Sequence, residues 1–298
     1  MELGTIIQFI VDVLSLGSLY ALMALGLVVI YGILKLVNFA YGELVMIAGY
    51  TLFLLNGSPL PWLFMALVAV VLSILGGIAT DLVAFRPVRS NSFTAVLITS
   101  FAFSTLLQNA ALLFISPRAR NVPMPEIFTK SVEIFDVIIP LRNIITIACA
   151  LILLGLFTLA MKRTVLGLAL RAAATNFTMA RMVGVPADLV ITLAFAISGL
   201  FAGVVAILWL GRIGAVVPGI GLEPLLVAFI ATVIGGMRSL LGAVVGGYLL
   251  AFIDVSFNYA LPQGLLAFRD AFTFTFVILI LLFRPSGLIK GPAQGQRT

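Results

Sequence analysis

A carboxylate inside an apolar run is the first group of chemical interest in this 298-residue chain. Glu43 follows Asn38-Phe39-Ala40-Tyr41-Gly42, and no further charge appears until Asp81. A charged side chain at a bilayer centre costs about 2.5–3.5 kcal/mol on insertion scales, so an acid retained there is a functional candidate. Gly42 and the preceding Lys35 also fit a helix start near the cytoplasmic side, where the positive end of the peptide dipoles favours an acid. Both readings stand. Ser100, Ser104 and Gln108 recur at every fourth residue, with Thr105 and Asn109 beside them. That spacing makes one polar stripe on a helix. Hydroxyls and amides need partners away from lipid. The stripe either bonds to neighbouring helices or walls a path through the membrane. Glu223-Pro224 is a third signal, because an acid beside a first-turn proline marks a helix start. The glycine-rich stretch before it, 211–221, reads as irregular backbone, which at membrane depth must be buried in protein or line a cavity. Broken helices of this kind occur near substrate pathways. The candidate path residues are thus Asn38, Tyr41, Glu43, Ser100, Ser104, Gln108, Asn109 and Glu223.

Other chemistries are poorly supplied. The chain has no histidine, which removes Ser-His and Cys-His triads and histidine metal sites. The single cysteine, Cys149, sits in the apolar run 144–156 and reads as a buried structural thiol. No metal site and no cofactor are expected. Hydrophobic residues make up 62% of the chain and charged residues 9%, against about 45–50% and about 25% in soluble domains. That excludes a soluble enzyme, a disordered chain and a nucleic-acid binder. The net charge of +6 then reads as loop bias on a membrane protein, not as an anion-binding surface.

The groups above must be positioned by membrane helices. A span needs about 20 mostly apolar residues. Candidates fall near 8–33, 39–55, 62–85, 93–115, 141–161, 188–210, 222–236, 240–259 and 267–283. The predicted fold is an all-α polytopic bundle of about 8–10 membrane segments, some short or broken. It occupies 1–298 as a single domain. Segment 222–236 is short enough either to cross or to re-enter. The N-terminal stretch has no basic n-region, so the first apolar segment is expected to remain as a span. Lys162, Arg163, Arg171 and Arg181 stand in the loop 162–187 with no acid before Ala187. Arg86 and Arg89, and Arg284, Lys290 and Arg297 near the end, are also basic clusters. The positive-inside rule places these three regions in the cytoplasm. The N-terminus and the loop 116–140, where acids and bases mix, then lie outside. Trp62 and Trp209 are expected at the outer interface, where indoles prefer to sit. Gly199/Gly203 and Gly242/Gly246 have the spacing for close helix contact, and part of that surface is expected to meet a second bundle.

The loop 162–187 carries the sharpest local pattern. Thr175 or Asn176 can cap a short helix, and Gly184 is a natural C′ stop. Roughly two turns lie between them, with Met179, Met182 and Val183 as apolar contacts. An isolated helix that short is marginal in water. Either its own bundle holds it, or it docks into a groove on a partner.

Taken together, these motifs resemble a family: the inner-membrane permease subunits of bacterial ABC importers for branched-chain and other hydrophobic amino acids, and within it the shorter of two permease types. Four stretches carry the resemblance. They are Gly17-Ser18-Leu19-Tyr20-Ala21-Leu22 through Gly26; Asn38-Phe39-Ala40-Tyr41-Gly42-Glu43; the loop 171–184; and 229–236 with 242–247 and Phe283-Arg284-Pro285-Ser286-Gly287-Leu288. One departure is Tyr41, where the family often has histidine, so a pH-sensitive role there does not carry over. The resemblance implies a type II importer permease fold in the bacterial inner membrane. It implies ATPase coupling through Arg171, Ala172, Ala174, Asn176, Ala180, Arg181 and Gly184. It also implies partners: a longer paralogous permease in a heterodimer, two cytoplasmic ATPases and an external solute-binding protein. The chain has no G-x4-G-K-[ST] phosphate loop, so it is expected to be a transport subunit and not an enzyme. Branched-chain amino acids are the default substrate; related permeases carry urea, short amides or aromatic acids. The competing class is a stand-alone secondary transporter. Ion-coupled carriers place acids or histidines near midplane, whereas here every acid is expected toward a span end. An intramembrane enzyme is the third class, and no pair of titratable groups stands out for it.

Overall fold

The computed structural model describes residues 3–89, 92–134, 137–175, 177–182, 184–237, 239–285 and 287–289. Its helices, in chain order, are α1 (Leu3–Leu34), α2 (Tyr41–Leu55), α3 (Trp62–Ala79), α4 (Phe93–Phe114), α5 (Leu141–Arg163), α6 (Val165–Thr175), α7 (Phe177–Met182), α8 (Ala187–Ile213), α9 (Leu222–Gly235), α10 (Leu240–Ala260) and α11 (Arg269–Phe283). A π-helical turn, Thr80–Phe85, prolongs α3. The loop between α4 and α5 adds short strands: β1 (Arg120–Asn121), β2 (Ser131–Ile134) and β3 (Val137–Pro140). Strand β4 (Ala215–Val216) pairs antiparallel with β1, and β2 with β3.

Among the described residues, seven helices are long and apolar enough to cross a membrane. Helices α2 and α9, at 15 and 14 residues, are not. At 1.5 Å per residue they span roughly 21–22 Å against a hydrocarbon core of about 30 Å. So the segment around 39–55 joins 222–236 as a short element. Their depth follows from Ser73, near the middle of the span Trp62–Phe85. Its hydroxyl lies 2.8 Å from the Gly199 carbonyl, itself near the middle of Asp188–Ile213, and 3.1 Å from the Leu44 carbonyl. Helix α2 therefore begins near mid-depth. Gly42, in its first turn, abuts Gly221, the residue before α9, so α9 begins at the same level.

The two short helices leave that level in opposite directions. At the end of α2, Arg120 stacks over Phe53 at 5.6 Å, at the face that carries β1–β4 and the β2–β3 hairpin. At the end of α9, Leu288 and Ile289 donate their amides to the Ile234 and Gly235 carbonyls. The same face gathers other basic segments. Arg86 and Arg89 pair with Asp188. Lys35 ends α1 with a left-handed φ of 56° and reaches the Ala174 carbonyl of α6.

Helix α1 is the axis of the bundle and is buried over most of its length. Helices α8, α9 and α10 pack around it, while α4, α5 and α11 expose leucine, isoleucine and phenylalanine on the rim. Small residues permit the close approaches. Gly199 and Gly203 meet Ser73, Ile74 and Val70 of α3, while Gly242 and Gly246 meet Gly235 and Ala231 of α9. Both glycine pairs are thus engaged inside the subunit and do not form the partner-facing surface expected of them. Trp209 also departs from expectation. It is buried in the core with its indole nitrogen unpartnered, while Trp62 packs on Phe128 at the strand-bearing end.

Candidate functional site

Glu43 lies in the first turn of α2, at the level where the chain is broken. It is 2% exposed. Two residues of the α4 stripe point at it: Ser104 Oγ donates to Glu43 Oε1 at 2.8 Å, and Gln108 Nε2 donates to the same oxygen at 2.7 Å. Glu43 Oε2 is buried without a partner. The stripe then divides. Ser100 is buried and donates to the Leu97 carbonyl of its own helix, and Asn109 is exposed and donates to the Thr105 carbonyl. The i+4 spacing found the two residues that meet the acid, but not which members of the stripe turn back on their own backbone.

The segment leading into α2 supplies two more buried polar groups. Asn38 accepts the Ala40 amide at 3.0 Å through its side-chain oxygen, a local turn that sets the entry to the helix. Its amide nitrogen has no partner, and neither does the buried Tyr41 hydroxyl, which presses against Gly26 of α1. Orphaned buried polar atoms are costly, and each asks for an explanation. Three of them, on Asn38, Tyr41 and Glu43, cluster at one half-helix start. Helix N-termini carry unsatisfied amides and a positive dipole end. Gly221 brings the start of α9 against this same place, but Glu223 turns away from it and is exposed.

The loop 162–187 forms α6 and α7. Gly184 has φ +88°, and the chain closes behind α7 through Gly184 N to Arg181 O (3.2 Å) and Val185 N to Ala180 O (3.0 Å). The bonds and the positive φ make the C-terminal stop that the glycine indicated. Ala180 is buried, Arg171 and Arg181 are exposed, and Ala172 and Ala174 are half-buried. Met182 is 75% exposed. Thr175 is not a cap: its hydroxyl bonds back to the Arg171 carbonyl at 2.9 Å within α6. Asn176 and Val183 lie outside the described residues.

Two polar networks escaped the sequence reading. Asp254 in α10 is buried, receives Tyr20 OH at 3.1 Å and pairs with Arg269 Nε at 3.0 Å. Asp12 in α1 accepts Asn143 Nδ2 and Tyr259 OH, both at 3.0 Å, and Ser15 and Arg212 extend the chain of bonds. The expectation that every acid lies toward a span end fails at Glu43, whose helix begins near mid-depth, whereas Asp81 and Asp254 do lie toward the ends of their spans. All three side chains are buried, and Asp254 pairs across two helices with the half-exposed Arg269, a titratable pair that the sequence did not bring forward. The signal available was an acid within each apolar run. Which base it meets depends on a helix–helix crossing that spacing does not encode.

Comparison with known proteins adds an independent line. A family described as branched-chain amino acid transport system, permease component, matches residues 9–283. A high-affinity branched-chain amino acid permease protein, BraD of Pseudomonas aeruginosa, is 33% identical over 304 residues, covering 98% of each chain. The LivH permease protein of Escherichia coli is 33% identical over 93% of each chain. A probable branched-chain amino acid permease of Methanocaldococcus jannaschii is 27% identical over 91% of this chain and 89% of its own.

Proposed function

Since the chain belongs to the family of branched-chain amino acid transport permease components, we propose that it forms half of the membrane path of an ATP-driven importer for branched-chain amino acids. A second, longer permease completes the path. Two cytoplasmic ATPases drive it, and an external solute-binding protein delivers substrate. The observation that supports a path role is the cluster of Glu43, Ser104 and Gln108 at the level where α2 and α9 both begin. Bundle stability alone does not need a broken helix with three orphaned polar atoms in the middle of a membrane.

Reconstitution tests this reading. Proteoliposomes holding both permeases and the ATPases should take up leucine only with ATP and loaded binding protein. Leucine uptake by the purified single chain, without ATPase, would instead make it a secondary transporter. Glu43→Leu removes the acceptor of both donors and leaves the buried Ser104 and the half-buried Gln108 unpaired, at a cost of about 1–3 kcal/mol. It should reduce uptake about tenfold with the complex still assembled, while Glu43→Gln, which keeps an acceptor oxygen, retains most of it. Equal uptake by Glu43→Leu and wild type would remove the cluster from the path.

The basic end of the bundle, with α6 and α7, faces the cytoplasm in this proposal, and the β1–β4 end faces outward. Arg181→Cys should react with a membrane-impermeant thiol reagent only from the cytoplasmic side of oriented vesicles, in a Cys149→Ser background. Labelling from the outside would reverse the orientation.

A further inference from the structure

A cavity of about 310 Å³ opens between α1, α9, α10 and α11, at the lower end of the roughly 300–1,000 Å³ typical of small-molecule sites. Its polar lining comprises Tyr20, Glu223, Asp254, Arg269, Asp270 and Thr273. Neither the Glu43 cluster nor the α6–α7 loop uses any of them, and Glu223, expected from the sequence to line the path, turns toward this cavity instead. Asp254 is fully engaged, one oxygen by Arg269 and the other by Tyr20. Arg269 also pairs with Asp270 through Nη2 at 3.2 Å. A guanidinium has five donors, and the Nη1 edge remains to receive an anion. Thr273 is 4% exposed, and its hydroxyl lies beside Asp254 without completing a hydrogen bond. The opposite wall is apolar, with Leu226, Val227, Leu250 and Phe274.

Three carboxylates against one guanidinium leave an excess of negative charge. Glu223 and Asp270 are exposed carboxylates, and Glu223 opens α9 near mid-depth. An acid at that depth does not face lipid, since it needs water, protein or a cation there. The chemistry that meets all of these at once is an ammonium, a nearby carboxylate and a short apolar tail.

We propose that this cavity is a binding site for a free α-amino acid zwitterion. Its ammonium sits on Glu223 and Asp270, its carboxylate on Arg269 Nη1, and its aliphatic side chain against Leu226, Val227 and Phe274. The Thr273 hydroxyl supplies a further polar partner. The site rests on the permease reading and adds a place where the permease itself holds substrate.

The test is equilibrium binding of radiolabelled leucine to the purified transporter complex in nanodiscs without the binding protein. Leucine should bind, and both 4-methylpentanoate, which lacks the ammonium, and isopentylamine, which lacks the carboxylate, should compete at least tenfold more weakly. Glu223→Gln and Thr273→Val should each weaken leucine binding several-fold. Asp270→Asn, on an exposed side chain, checks the ammonium contact where the fold is least at risk. Isopentylamine competing as well as leucine would make the cavity a simple cation site and overturn the proposal. An ethanolamine lipid retained by the wild-type complex and lost in Glu223→Gln, with no leucine bound, would assign the cavity to a lipid headgroup and overturn it too. If the complex shows ATP- and binding-protein-dependent uptake yet binds no leucine here, this site fails and the permease reading stands. If there is no such uptake, the permease reading falls and takes this site with it.

Discussion

Gly42→Val should abolish leucine uptake and lower the thermal stability of the purified complex, while Gly32→Val should do neither. The difference comes from what a side chain would meet. A Cβ at Gly42 runs into the backbone of Gly221, and a Cβ at Gly221 runs into that of Gly42. Both obstacles are main chain, so no rotamer change relieves them, and the two short helices must separate. Overpacking of a well-filled site costs about 1–3 kcal/mol even when neighbouring side chains can shift. Here it also displaces the start of α2, and with it Glu43, from Ser104 and Gln108. Gly32 lies in α1 with nothing within 4 Å of its Cβ position, and valine is no worse than glycine in a helix, glycine carrying about 1 kcal/mol against alanine and valine somewhat less. Differential scanning fluorimetry and ATP-dependent uptake of the two variants in parallel give the answer. A Gly42→Val complex with wild-type melting temperature and uptake would mean that the α2–α9 contact is not part of the working structure.

The central polar site was readable because the chain has so few polar residues to place. In a sequence that is 62% hydrophobic, Glu43, Ser104 and Gln108 stand out singly, and helical periodicity puts the latter two on one face. The glycine stop at Gly184 was readable for a similar reason, since a left-handed backbone has a strong residue preference. What periodicity left hidden is pairing between helices. Asp254 and Arg269 lie on either side of a turn, and only the crossing of α10 and α11 shows that they meet. The glycine pairs show the same gap. Their spacing announces close contact, but not whether the partner is α3, α9 or another subunit. Helix α2 reads as a span because it continues an apolar run, and its shortness appears only where Ser73 ties it to mid-depth.

Gly184→Val should uncouple ATP hydrolysis from transport while leaving the subunit inserted and assembled. The site is open space: nothing lies within 4 Å of a Cβ there, so the effect is one of backbone conformation alone. At φ +88° a β-branched residue is disfavoured, and left-handed backbone costs an L residue roughly 1–2 kcal/mol, close to a factor of about ten in an equilibrium. The turn holds the end of a helix only six residues long, too short to stand on its own propensity. Arg181 and Met182 are exposed at that end, and an exposed methionine is suited to a protein groove. Shifting the turn therefore moves the surface offered to the ATPase without touching the bundle. A graded series makes the argument specific. Asparagine tolerates left-handed backbone and should behave nearly as wild type, alanine should be intermediate, and valine should lose about tenfold of the stimulation by loaded binding protein. Basal hydrolysis and co-purification of both ATPases should stay unchanged across the series. Full stimulation in Gly184→Val would detach the left-handed turn from coupling, and loss of co-purification in all three variants alike would show that the glycine serves assembly instead.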